Sequence, residues 1–369
     1  MISRKLMITA IILQSCFIIY GQSPKLWSVT STGGENGLGT IFNLELNGSG
    51  FSKIHDFDKH TGYPFASLTF ANNCLYGVTV GGEMEGNFGS IFKISTDGSD
   101  FEVLHKFEGR NGSTPIGELV EHDGKIWGMT NEGGANNAGV IFRMSFDGKK
   151  FEIVHEFEKR TGTHPRNYLL KHGNSFYGVT SRGGIDNMGV IFKIDLDGTN
   201  YSMIYEFERE NCGESESGLT VANNKFWGIT TRGGKNNEGT IYSINTDGTG
   251  FTNHFDLTYP ALGDLIYSNN KLWGMMALRG ENNCGTIFNF NPDGTNFKVI
   301  HNFDCENGRF PEGNLFESDG KLWGLTRFGG KFNNGVIFSL EKDGSKFQKH
   351  FDFNEASGGV PYSSFIEVN

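Results

Sequence analysis

Lys125-Ile126-Trp127-Gly128-Met129-Thr130 is followed by Gly133-Gly134, then Gly139-Val140-Ile141-Phe142, a turn at Asp147-Gly148 and a run from Phe151 to Phe157. The same order of residue types returns along the chain. Its opening motif recurs as Leu26-Trp27-Ser28-Val29-Thr30, Leu75-Tyr76-Gly77-Val78-Thr79, Phe176-Tyr177-Gly178-Val179-Thr180 and Phe226-Trp227-Gly228-Ile229-Thr230. Leu272-Trp273-Gly274-Met275-Met276 and Leu322-Trp323-Gly324-Leu325-Thr326 complete seven copies, spaced by 49, 51, 50, 50, 46 and 50 residues. A fixed period of this size is the signature of a repeat architecture.

Each unit reads as four short strands. In the third unit these are Gly117 to Glu121, Lys125 to Thr130, Val140 to Met144 and Phe151 to Phe157, runs rich in Val, Ile, Phe and Trp that favour strand over helix. An Asx-Gly pair stands between third and fourth strands in all seven units, from Asn47-Gly48 to Asp343-Gly344. Such pairs tolerate the positive φ of a tight hairpin. A single aspartate per hairpin supplies too few oxygens for calcium. The Gly-Gly loop and the Gly/Pro connection between units are longer. Alternating strand direction places both on one rim and the tight hairpins on the other.

The ends of the chain indicate how the repeats close. The first copy begins at its second strand, Leu26, and Pro361 to Asn369 is an unaccompanied first strand that matches Pro64 to Asn72 position for position. A C-terminal strand that completes the N-terminal blade shuts the ring and leaves few open edges. The expected fold is all-β: a seven-bladed β-propeller of four-stranded antiparallel blades over residues 22–369. The 53 glycines and 33 phenylalanines suit many turns and a large aromatic filling. Aromatic residues that recur in every second strand read as core, and the glycine after them as a place where one sheet approaches its neighbour.

The start of the chain reads as an address. Arg4-Lys5, the apolar run Leu6 to Tyr20 and the small Gly21 make residues 1–21 a signal peptide, with Gln22 as the new terminus. Leu13-Gln14-Ser15-Cys16 loosely resembles a lipoprotein signal, but Phe17-Ile18-Ile19-Tyr20 stays apolar where such signals turn polar. The expected product is a monomer exported to the periplasm or beyond, with no transmembrane segment after cleavage. Loss of Arg4 and Lys5 moves the net charge from −10 to −12, which argues against a nucleic-acid partner.

The combined order of aromatic-Gly-x-Thr, Gly-Gly, Gly-x-Ile-Phe, Asp-Gly and His-x-Phe resembles the GloVer (Gloeo-Verruco) tandem repeat of exported bacterial proteins, over essentially the whole mature chain. The resemblance implies an exported repeat protein and brings no established activity or catalytic residues. Kelch propellers are an analogue of shape only, since their glycine doublet lies closer to the aromatic.

Candidate chemistry is sparse. His55, His105, His155 and His301 share one repeat position, but Tyr205, Phe255 and Phe351 fill it elsewhere. A slot that accepts Phe is a packing slot, so no metal site is expected there. The neighbouring acids Asp56, Glu156, Glu206, Asp256 and Asp352 likewise repeat without converging. No nucleophile elbow or P-loop is present, and neither catalytic residues nor a cofactor are expected.

Departures from repeat symmetry carry more information, because packing does not demand them. Arg182, Arg232, Arg279 and Arg327 fall in the Gly-Gly loops of four consecutive units, an arc suited to a carboxylate or sulfate. Lys159, Arg160, His164, Arg166, Arg209 and Arg309 lie on the same rim. The expected function is a binding or scaffold propeller that contacts a glycan, peptide or protein through that rim. The alternative is a polysaccharide lyase or glycosidase with its site near the axis. Four cysteines outlast the leader, too few for a disulfide framework and spaced unlike a zinc site. A two-residue turn at Asp293-Gly294 sets Cys284 opposite Phe303. A one-residue register shift would bring Cys284 and Cys305 within bridging distance.

Overall fold

A computed structural model describes residues 23–81, 86–209, 213–259 and 261–369. The leader, Cys16 and Cys212 lie outside them. Seven antiparallel sheets surround an axis, and no residue among those described is helical. The third blade is typical, with Val120–His122 innermost, then Lys125–Thr130, Val140–Ser145 and Glu152–Glu156 on the outside. Ile366–Val368 pairs antiparallel with the first strand, Lys25–Thr30, and completes the first blade. Both faces of each blade are covered: Ile141 and Phe142, neighbours that point in opposite directions, are fully buried.

The strand glycine has a different partner from the one expected. Gly128 pairs across the ladder with Phe142 of its own blade, and a Cβ there would lie 2.6 Å from the Phe142 ring tip. The ring lies over the glycine, so the position serves packing within a sheet rather than close approach of two sheets. Ser28 takes this place in the first blade, where its hydroxyl donates at 2.8 Å to the Ser364 carbonyl, just before the closing strand. The threonine two residues on accepts the first N–H of the third strand, as Thr180 Oγ1 does from Val190 at 3.0 Å.

Histidines of the fourth strand stack on the next blade. His55 lies on Phe101 at 3.9 Å, His105 on Phe151 at 3.8 Å, His155 on Tyr201 at 3.7 Å and His301 on Phe347 at 3.8 Å. Tyr205 on Phe251 and Phe351 on Phe51 are the same contact, and Phe255 meets Phe297 at a tilt. The repeated acids have a partner too. Asp56, Glu156, Glu206, Asp256 and Asp352 each accept a backbone N–H from their own Gly-Gly loop at 2.8–3.1 Å. They clamp that loop.

Closure and stacking each generate a prediction. Removal of residues 360–369 exposes the edge of the first blade, and the truncated chain should melt well below the parent or aggregate. Equal melting would refute the contribution of the closing strand. Burial lowers the His155 imidazole from its ordinary 6.5 to about 4. The unfolded chain therefore takes up the proton first, so this histidine's share of stability is complete above pH 6.5 and disappears as pH falls toward 4. His155→Phe, the residue used in two other blades, should reduce the loss of stability between pH 7 and 4.5 by about 1–2 kcal/mol, as read by denaturant melts.

Candidate functional site

The inner strands are not continuous. In the fourth blade Thr163–Pro165 and Leu170–His172 both pair with Ser175–Arg182, but Pro165 stands opposite Thr180 while Leu170 stands opposite Tyr177. Five steps of the inner strand thus face three of its partner. The second blade does the same between Pro64 and Thr69. Bulges of this kind leave residues unpaired and re-aim their side chains. The third blade's inner strand accordingly begins at Val120 rather than Gly117. At Gly117 a Cβ would collide with the Asn167 carbonyl of the next blade.

The re-aimed residues line a well on the axis, about 260 Å³ in volume, to which all seven blades contribute. In chain order from the long-loop rim, the first level includes Phe65, Ile116, Arg166, Glu216, Leu262, Glu312 and Tyr362. Two residues deeper are Ser67, Glu118, Asp264, Asn314 and Ser364.

The deeper level is knitted together by hydrogen bonds between blades. Asp264, only 5% exposed, accepts from Asn167 Nδ2 at 2.7 Å, the Gly218 N–H at 2.5 Å and Asn314 Nδ2 at 2.7 Å. Its own N–H donates to Asn314 Oδ1 at 2.6 Å. Ser364 donates its N–H to Ser67 Oγ at 2.9 Å and its hydroxyl to the Asn314 carbonyl at 3.0 Å. The Tyr168 hydroxyl donates to the Leu219 carbonyl at 3.1 Å. Burial raises the Asp264 carboxyl despite its three donors. Glu118 keeps partial exposure yet is pushed up to about 7, by burial first and the Asp264 charge second, against a hydrogen bond from Ser67.

At the first level the cations are paired. Arg166 forms an ion pair with Glu216. Arg327 meets Glu312 at 3.2 Å and lies between the Phe328 and Tyr362 rings. Tyr362 also stacks on Phe65 at 4.4 Å.

Of the arginines singled out by sequence, Arg327 reaches the edge of this well and the other three do not line it. Arg232 pairs with Glu214 at 3.0 Å. Arg279, in left-handed backbone at φ +87°, lays its guanidinium over Tyr259 and donates to the Thr258 carbonyl at 3.3 Å. Arg182 is exposed in a groove with Lys159 and His164. Among the described residues, no three His, Cys, Asp or Glu are gathered to hold a metal. Sequence reasoning named Arg166 and, for its alternative, the axis, but not the other residues that line the well. The available signal was the stretch between the proline position and the following Leu or Phe, where the units differ most.

A disulfide joins Cys284 to Cys305 with Cα atoms 5.4 Å apart. The outer ladder of every blade carries a one-residue register shift, between Ile287 and Phe288 in the sixth. That shift brings the two cysteines nearly opposite. The bridge ties the sixth blade's loop to the connection whose Cys305 carbonyl accepts the Gly330 N–H at 3.1 Å, next to Arg327. Cys74 is free.

A seven-bladed β-propeller with a polar axial well, open on its long-loop rim, is the class these features define. The chain belongs to the Gloeobacter/Verrucomicrobia repeat family, whose profile matches residues 14–192 and 164–369. No curated protein matches it by sequence. Solved structures show the fold alone. A Bacteroides uniformis protein named as a candidate 6-phosphogluconolactonase is 13% identical, with 93% of this chain and 99% of that one covered at a TM-score of 0.61. A Lactobacillus plantarum protein is 14% identical, with 94% and 99% covered at 0.57. A Mycobacterium tuberculosis puromycin-hydrolyzing peptidase is 9% identical, with 89% and 52% covered at 0.57. No helix among the described residues is long and apolar enough to cross a membrane.

The disulfide closes a sequence separation of 21 residues, for which loop entropy gives about 3 kcal/mol. Cys305→Ser should lower stability by up to that amount, and reductant should bring the parent down to the variant. A parent insensitive to reductant would remove the bridge's role.

Proposed function

We propose that this protein is an exported binding propeller whose ligand enters the axial well from the long-loop rim. The observation that carries this reading is the set of inner-strand bulges that turn unlike side chains into one cavity. Elsewhere in the blade the repeated positions are accounted for by packing, turns or loop clamps, whereas the well combines aromatic, aliphatic, amide, hydroxyl and charged groups on a braced wall. Rigid support of this kind favours recognition, because little order has to be gained on binding. The rim arginines Arg182, Arg232 and Arg279 would then flank the ligand at the periphery.

One observation supports a second reading, the axial glycosidase or lyase. Glu118, held near 7, has the protonation behaviour of a general acid. A second carboxylate would have to act with it. Glu216 and Glu312 are held by arginines and Asp264 by three donors, which favours the binding reading.

The test is an array of glycans and peptides probed with the parent, with Ile116→Trp, which fills the well, and with Arg182, Arg232 and Arg279 all changed to Ala. Signals lost in the first variant and kept in the second are expected. The reverse pattern would move the contact to the outer rim, and signals kept in both would overturn the axial site. Glycan cleavage that disappears in Glu118→Gln would establish the enzyme instead.

A further inference from the structure

Between its ion-paired arginine and glutamates, the first level of the well carries apolar side chains, and its floor carries two carboxyl groups. Ile116 and Leu262 line its first level, and two residues further along the same segments stand Glu118 and Asp264. Two residues of extended chain span about 6–7 Å, the reach of a four-carbon stem carrying an ammonium. Phe65 adds a ring at the first level, backed by Tyr362.

Charge on the wall is unevenly matched. Arg166 and Arg327 are neutralised by Glu216 and Glu312. Glu118 and Asp264 receive hydrogen bonds only from uncharged donors: the Ser67 hydroxyl for the first, and Asn167, Asn314 and the Gly218 N–H for the second. Among the described residues, neither carboxylate forms an ion pair. Two acids that share one cavity without a cation of their own are costly, and a bound cation would relieve both.

We propose that the axial well receives a primary ammonium on an aliphatic stem, the side chain of a lysine presented by a polypeptide ligand. The nitrogen sits between Glu118 and Asp264, and the stem lies against Ile116, Leu262 and Phe65. This rests on the axial binding site proposed above and names the ligand chemistry it selects. A guanidinium suits the floor less well, because its planar fork needs a free pair of carboxylate oxygens and both Asp264 oxygens already accept amides. A hard metal ion would require six or more oxygens.

Binding is coupled to protons. Around Glu118 stand Asp264, a neutral Tyr168 and the two arginine–glutamate pairs. An arriving ammonium favours the ionised form of Glu118, so the ligand displaces a proton from a group that burial has pushed up to about 7. A lysine ammonium, with its ordinary value near ~10.4, stays charged throughout this range.

The test is calorimetric titration of the parent, Glu118→Gln and Ile116→Trp with three probes: Nα-acetyl-lysine amide, the norleucine equivalent and glucose. The lysine probe should bind at least tenfold more tightly than either other probe. Its affinity should fall about tenfold from pH 8 to pH 6, and at pH 7 about half a proton should be released, read from two buffers of different ionisation enthalpy. Glu118→Gln, with unchanged melting, should lose the pH dependence and the proton release. Norleucine or glucose bound as tightly as lysine, and lost in Ile116→Trp, would overturn the ammonium and leave the axial site standing. Lysine binding that ignores both substitutions would overturn both, and no binding of the lysine probe would overturn the ammonium.

Discussion

No blade of this protein can bury its own faces. A four-stranded sheet with Ile141 on one side and Phe142 on the other, both fully buried, is stable only between two neighbours, and each neighbour has the same need. The structure depends on meeting that demand all the way round. The aromatic contact between successive blades recurs seven times, and the stack of Phe351 on Phe51 joins last to first. Such contacts contribute about 0.5–1.5 kcal/mol each beyond their buried area. Their larger effect is geometric. In five of the seven contacts flat rings 3.7–3.9 Å apart set the distance from one blade to the next. Ile366–Val368 then completes the first sheet.

The same constraint explains which features were legible in the sequence. Positions fixed by packing recur in every unit, so the period, the strands, the Asx-Gly hairpins and the closing strand could all be read from one chain. The histidine slot was legible for a related reason: a position that alternates His with Tyr and Phe records a stacking requirement and nothing finer. The strand glycine was visible, but its partner was not. Periodicity shows that space is required without showing that Phe142 of the same sheet occupies it. Likewise, the repeated acids such as Asp56 and Glu156 read as positions that do not converge on a site, and the loop N–H groups they accept are visible only in the structure.

Most of the axial well escaped notice because it occupies the part of the unit that packing leaves free. Residues between the proline position and the next leucine leave the ladder by two residues and face the axis. No neighbouring blade dictates their volume there. Phe65, Ile116, Arg166, Glu216, Leu262, Glu312 and Tyr362 share one position with no chemistry in common. Read as a strand, the segment looks like poor repetition. Read as a bulge, it holds the side chains most open to selection by a ligand. The arginines of the Gly-Gly loops also break the repeat, yet Arg232 and Arg279 satisfy themselves locally on Glu214 and Tyr259. Asymmetry in a repeat therefore marks freedom from packing, and only convergence of the free positions marks a site.

Convergence here also constrains the charge of a ligand. The groups that knit the floor, Asn167, Asn314 and the Gly218 N–H, solvate Asp264 well enough to keep it in place but bring no positive charge. Burial first, and the field of Asp264 second, raise the Glu118 carboxyl toward neutrality against the one hydrogen bond it takes from the Ser67 hydroxyl. An anionic ligand would add a third charge to this cavity, where solvent screening is weak. The arginines nearest the mouth offer it little, since Arg166 and Arg327 are already matched by Glu216 and Glu312. On the proposed reading the rim and the axis differ in sign: the exposed Arg182 outside would suit an acid, whereas the braced floor inside would suit a cation.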